Sequence, residues 1–218
     1  MKKHLLLLLL TVMAVAACEQ EVYDKGDSTY SYVRADFVEA FVGSGQYVSY
    51  VITDDDERLT LKTPYTAKWI QRADTSYRAV LYYNIGTQPE VVSLARVSTV
   101  SIREARNFKT GIKTDPLGLE SVWMAGNKKF LNFCVILKTG AVAADSITQT
   151  LGMAGDTIIT DGQGRRTYHL RLFHAQGDVP QYYSQRAYFS VPVSGVEADS
   201  LQVSVNTYDG VVTKGFSL

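Results

Sequence analysis

The sequence predicts an all-β protein, a small OB-like barrel followed by an antiparallel β-sandwich. Three observations carry this. Apolar residues recur at period two in one run after another, as where Tyr168, Leu170 and Leu172 alternate with His169 and Arg171. Clusters of Gly, Asp, Asn and Ser separate the runs. No eleven-residue window carries the stripe of an amphipathic helix.

The first 17 residues stand apart: Lys2 and Lys3, the apolar run Leu5 to Leu10, then small residues up to Ala17, with Cys18 next. A basic start, a short apolar run and small residues before a cut are what a signal peptidase reads, and the run is too short to span a bilayer. A cysteine directly after the cut predicts a lipoprotein signal over 1–17, with Cys18 as the lipid-attachment residue. Residues 18–29 are polar and largely acidic (EQEVYDKGDS from Glu19) and read as a tether. Loss of the signal leaves 201 of 218 residues, with 20 basic and 22 acidic side chains, a net charge of −2. That balance argues against a phosphate-seeking surface and so against nucleic acid.

Residues 30–112 are expected to form the barrel. Tyr30 to Val42 reads as a long strand whose phase slips near Val38-Glu39, Gly43-Ser44-Gly45 as a turn, and Tyr47 to Ile52 as the next strand. Asp54-Asp55-Asp56-Glu57 is expected to be a solvated hairpin tip. It lacks the alternate ligand spacing and the glycine of a calcium loop. Leu59 and Leu61 face inward on a third strand. Ala67 to Ile70, Tyr77 to Asn84 and a last long strand, Val91 to Ile102, follow. Five or so strands in about 75 residues, the outer ones long and bent, suit a small closed barrel.

Residues 113–218 are expected to form the sandwich. It opens with a hairpin, DPLGLESVWMAGNKKFLNFCVILKTG: a strand Ser121 to Met124, a turn using Gly126 and Asn127, and a strand with Leu131, Phe133, Val135 and Leu137 on one face. Ala141 to Leu151 fits a helical turn or a strand equally. Thr157 to Thr160, Thr167 to Phe173, Ala187 to Val193 and Leu201 to Thr207 are the later strands, with Pro192 marking an edge.

No set of residues adds up to a catalytic or cofactor site, so no enzyme, metal or cofactor is expected. His169 and His174, five apart along a strand, point to opposite faces. Gly-x-Ser-x-Gly is absent. Gly162-Gln163-Gly164-Arg165-Arg166 opens a strand where a phosphate cradle needs a helix N-terminus. Cys134 has no partner once Cys18 carries lipid, and reads as a packing residue. Tyrosine is in excess, with 14, several in pairs such as Tyr47 and Tyr50, Tyr82 and Tyr83, Tyr182 and Tyr183. These suit strands, and equally a surface that stacks on sugars or anchors a protein.

DPLGLESVW, FLNFCVILKTG, YHLRLFHAQGDVPQYYSQRAYFSVPV and SLQVSVNTYDG together resemble the NigD-like lipoproteins of Bacteroidota. The resemblance implies an OB-like domain and a β-sandwich behind a lipid anchor, attachment to the outer membrane, and a face turned to the periplasm or to the exterior. The first reading of function is a lipid-anchored, non-enzymatic envelope protein that binds another protein, with bacteriocin immunity as one variety that the resemblance suggests. The alternative reading of the residues is a glycan-binding accessory lipoprotein using exposed tyrosines. The partners expected are thus the membrane, through the lipid, and an envelope protein or a glycan.

Overall fold

The computed structural model describes residues 33–85, 88–141 and 148–218. The signal segment, Cys18, the tether and most of the ambiguous stretch after Ala141 lie outside the described residues.

Five strands alternate apolar and polar residues and wrap one face inward: β1 (Val33–Val42), β2 (Val48–Thr53), β3 (Arg58–Tyr65), β4 (Thr75–Asn84) and β5 (Glu90–Arg96). Their order is β3-β2-β1-β4-β5, and the Lys62 N–H donates to Pro89 O (3.0 Å) where β3 meets β5. That contact closes the sheet into the OB-like order. Val38, Ala40, Val51, Leu59, Leu61, Leu81 and Leu94 fill the interior. The phase slip expected near Val38-Glu39 is absent. Val38, Ala40 and Val42 all point inward, and Phe37 is apolar because it packs outward on Trp123 and Tyr188 of the sandwich. The register of β1 on β2 shifts later, between Phe41 and Val42. Ala67 to Ile70 is a turn and not a strand: the Ile70 N–H returns to Ala67 O (3.0 Å), and Ile70 is buried among the barrel side chains.

The run Val91 to Ile102 is three strands. After β5 come β6 (Ser98–Thr99) and β7 (Ile102–Glu104), which pair with strands of the sandwich. Leu94, Val97, Val100 and Ile102 are the residues that turn inward, so the period of two breaks on either side of β6, whose Ser98 and Thr99 are exposed. A 3-10 turn, Ala105–Asn107, follows. The sandwich strands proper are β8 (Gly118–Met124), β9 (Phe130–Thr139), β10 (Thr150–Thr160), β11 (Arg166–Ala175), β12 (Tyr183–Pro192), β13 (Ser200–Thr207) and β14 (Gly210–Ser217). They form one sheet β14-β13-β11-β10-β7 and another β6-β12-β9-β8. Pairing is antiparallel except for β7 on β10, β11 on β13 and β6 on β12. Between the sheets lie Leu131, Phe133 and Val135 of β9, Met153, Leu170, Leu172, Phe189, Val191, Leu201, Val203 and Val205, with Phe133 and Phe189 stacked 4.6 Å apart. Pro192 is exposed at the end of β12, whose outer side is paired only by two-residue β6. Val33–Leu218 form one compact unit.

The barrel meets the outer face of β9 and β12 around Arg78, whose side chain is 1% exposed. Its Nη2 donates to Asp54 Oδ2 (2.7 Å) and Asn132 Oδ1 (3.0 Å), and its Nε to Ser190 Oγ (3.1 Å). Ser190 Oγ donates to Asn132 Oδ1 (2.7 Å), and Asn132 Nδ2 to Asp54 Oδ2 (2.8 Å). The Asp54 to Glu57 tip is therefore not simply solvated. It docks on the β8–β9 turn, where Asn127 N–H donates to Asp54 O (2.6 Å) and Lys129 Nζ to Asp56 Oδ1 (2.9 Å). Gly126 serves this contact and not the reversal itself: a Cβ there would lie 2.2 Å from Asp55 Oδ1, whereas the left-handed residue of the turn is Lys128 (φ 57°).

Removing one member of a buried charge pair strands the other in a poor solvent. Arg78→Ala should cost about 3–5 kcal/mol of stability in urea unfolding. Arg78→Lys should lose most of the same amount, because an ammonium cannot reach Asp54, Asn132 and Ser190 at once. A loss under about 1 kcal/mol for Arg78→Ala would place this cluster among ordinary surface contacts.

Candidate functional site

Beside that joint the barrel and the β8–β9–β12 face part to leave a cleft of about 650 Å³. Period two on the strands explains its walls. β9 puts Leu131, Phe133 and Val135 into the sandwich and hence Asn132 and Cys134 on the opposite face, toward the barrel. Trp123 lies opposite Asn132 on β8, and Tyr188 opposite Cys134 on β12. Phe37 from β1 meets Trp123 (5.2 Å, 87°) and Tyr188 (5.7 Å, 71°) edge to face. Three aromatic rings from three strands thus line the cleft, with Asp36, Asp55 and Glu120 around them.

Glu120 owes its position to a bulge. Leu119 pairs with Val135 and Ser121 with Cys134, so Glu120 is the extra residue between them. Its carboxylate accepts two bonds from Arg186, Nε at 2.6 Å and Nη2 at 2.7 Å, and lies 3.3 Å from Cys134 Sγ. Arg186 and then the thiol hold Glu120 below the usual glutamate value, and Glu120 holds Arg186 above its own. Burial, then the Glu120 carboxylate, pushes the Cys134 thiol up. A thiol so placed is a hydrogen-bond donor and not a nucleophile. On the far side Asp36 accepts from the Tyr83 hydroxyl (2.8 Å) and pairs with Arg34 (2.7 Å), which leaves Asp55 as the carboxylate of this set without an ion pair among the described residues.

The other sequence candidates do not join this cleft. His174 is buried, its Nδ1 2.9 Å from Asp115 O and its Nε2 3.2 Å from Gln149 Oε1, and it fastens the Lys113–Asp115 segment to β11. His169, at odd register, lies on the other face of β11. Gly162–Arg166 is a turn closed by Asp161, which accepts from the Gln163 and Arg165 N–H groups. Among the described residues no three His, Cys, Asp or Glu converge as metal ligands. Cys18 lies outside the described residues. The tyrosines divide: Tyr83 is buried and Tyr50 stacks on Phe41 at 5.0 Å beneath Arg58, while Tyr182 and Tyr183 are 82% and 56% exposed. Sequence reading missed Arg78, Asn132, Ser190 and the Glu120–Arg186 pair. Asn132 was the available signal, since a lone amide inside FLNFCV must find a partner.

In the Cys18→Ala chain Cys134 is the one thiol left. Iodoacetamide at pH 7.5 should alkylate it at least about a hundred times more slowly in the native protein than in 8 M urea, since burial both hides the sulfur and raises its pKa. Equal rates would show an open, ionised thiol in the cleft.

No family model matches the sequence, and no curated protein sequence does. Solved structures do share the fold. A NigD-like immunity protein from Bacteroides caccae superposes with a TM-score of 0.62 at 20% identity, over 84% of this chain and 96% of that one. A DUF1344 protein of unknown function from Bacteroides vulgatus gives 0.64 at 16% identity, over 85% and 91%. A protein proposed to be a lipoprotein, from Bacteroides fragilis, gives 0.58 at 13% identity, over 84% and 96%. The superposition spans 91–96% of each of these chains, and the chain has the fold of the NigD-like proteins.

Proposed function

We propose that this chain is a lipid-anchored, non-enzymatic protein of the cell envelope that binds another protein in the cleft between barrel and sandwich. The observation that carries the reading is the cleft wall: Phe37, Trp123 and Tyr188 presented by three rigid strands, with carboxylates at the margin. Aromatic anchors ringed by polar groups are what a protein interface concentrates, and strands hold them at little entropic cost. Fold likeness to a protein described as an immunity protein supports a toxin-like partner. The lipobox before Cys18 and the likeness to a proposed lipoprotein support the anchor, at an outer-membrane leaflet. The mature charge of −2 speaks against nucleic acid as the partner.

A second reading has its own observation. Tyr182 and Tyr183 stand exposed beside one another at the start of β12, as a sugar-stacking platform would. In that case retention on a polysaccharide column should be lost in the Tyr182→Ala, Tyr183→Ala double variant and kept in Trp123→Ala.

A photo-crosslinking residue placed at Tyr188 in living cells should capture one protein of discrete mass, and the same group at Tyr208, in the β13–β14 turn, should not. Capture of equal intensity at both positions, or none at Tyr188, overturns the cleft as the binding site. For the anchor, a labelled fatty acid should enter the wild-type chain and be absent from Cys18→Ala, which still folds because the residue precedes the barrel. Equal label in both would mean the lipobox has been misread. Protease added to intact cells should degrade the anchored protein if it faces outward and leave it whole if it faces the periplasm.

A further inference from the structure

The sandwich holds a second cavity, of about 510 Å³, away from the cleft. It lies where the chain crosses through Val100 and Ser101 from β6, at the edge of one sheet, to β7, at the edge of the other. The turn Ala105–Asn107 and the loop after it lie over it, closed by bonds from Phe108 N–H to Ala105 O (3.2 Å) and from Gly111 N–H to Phe108 O (2.9 Å). Its apolar wall is Val100 and Leu151, which also pack against the sandwich core, together with Phe108 and Phe173, 5.1 Å apart. Gly152 sits under Phe173: a Cβ there would come 3.3 Å from the Phe173 Cβ, so the absence of a side chain keeps the ring down and the space open.

The charge of this cavity has one sign. Arg103 and Lys109 line it, and among the described residues no carboxylate does. Arg103 is held in place, with Nη2 donating to Asn107 O (3.2 Å) and the guanidinium 5.0 Å from the Phe108 ring centroid. Among the described residues neither cation has an ion-pair partner, whereas neighbouring Arg106 pairs with Glu104. An unpaired guanidinium fixed over an aromatic wall, in a space of ligand size, is complementary to a carboxylate or sulfonate carrying an apolar body. We infer that this cavity binds a small organic anion with an aromatic or aliphatic body, its acid group on Arg103 and Lys109 and its body against Phe108 and Phe173.

The probe is anilinonaphthalene sulfonate, an aryl anion whose emission rises on burial, titrated into the lipid-free Cys18→Ala chain. One saturable site is expected, competed by decanoate and at least about tenfold less well by decanamide, which keeps the chain and loses the charge. The Arg103→Gln, Lys109→Gln double variant should weaken binding about tenfold with its circular dichroism unchanged, since both side chains are exposed. Phe108→Ala, which keeps both cations, should weaken it too. Absence of a saturable site up to 1 mM probe, equal competition by the amide, or unchanged affinity in the double variant would overturn the assignment. Unchanged affinity in Arg34→Gln, whose charge lies on the barrel, is the matching control, and weakening there would reduce the effect to net charge.

Discussion

A guanidinium with almost no water around it holds the barrel to the sandwich. Taking such a charge out of water costs several kcal/mol, and Arg78 recovers that cost only because each partner is itself partnered. Asp54 supplies the opposite charge, Asn132 and Ser190 supply acceptors, Ser190 donates to Asn132, and Asn132 donates to Asp54. Phe130 and Phe37 cover the faces of the guanidinium at 4.2 and 5.3 Å from their centroids. Burial draws the Arg78 value below that of an ordinary arginine and Asp54 opposes the shift, but arginine stays charged throughout. The geometry of the fork therefore decides how the two halves sit, because a rotated arrangement would keep Asp54, on the barrel with Arg78, and lose the two sandwich acceptors, Asn132 and Ser190.

β9 is the strand that makes this possible. Its odd residues Leu131, Phe133 and Val135 complete the sandwich core, and its even residues Asn132 and Cys134 complete the joint and the cleft. Few strands in an antiparallel sandwich are buried on both faces, because one face normally meets water. Here the barrel replaces water over part of the outer face. Where its cover ends, at Arg186, Ser184 and Lys138, the same face turns to charged and hydroxyl side chains joined by Glu120–Arg186 and Lys138–Ser184 contacts. The boundary between covered and open sheet is the cleft.

Most of the fold was legible because its signal is local. Alternation in β2, β3, β4, β11 and β13 needs only the neighbouring residues to be read, and barrel and sandwich follow from strand number and spacing. What escaped was set by contacts far apart in sequence. Phe37 looked like a phase error because its partners, Trp123 and Tyr188, lie on other strands. Val91 to Ile102 looked like one strand, whereas its three pieces pair in three sheets in turn. Ala67 to Ile70 has strand-like composition, yet Ile70 is wanted inside the barrel and a turn delivers it. The final strand β14 went unread; Gly210, at its start, takes a φ of 109°. Of the cleft, the composition showed aromatics and acids without saying which would meet. The cluster around Arg78 links residues up to 112 positions apart, and no pattern of period two encodes that.

The joint and the cleft share a residue, and this constrains how the cleft can be used. Asp54 lines the cleft with one side of its hairpin tip while its carboxylate neutralises Arg78. The next residue, Asp55, passes so close to Gly126 that no side chain fits between them, and Lys129 and Asn127 hold Asp56 from the other side. The tip is thus clamped at three successive residues. A partner entering between Phe37, Trp123 and Tyr188 finds walls whose separation is set by ion pairs and hydrogen bonds beneath them, and a pre-formed cleft spends less of the binding free energy on ordering its own side chains. Widening it would pull Arg78 and Asp54, both on the barrel, away from Asn132 and Ser190 of the sandwich and leave the buried guanidinium short of two acceptors. The same buried cluster that orients two small β units therefore makes the space between them a rigid one.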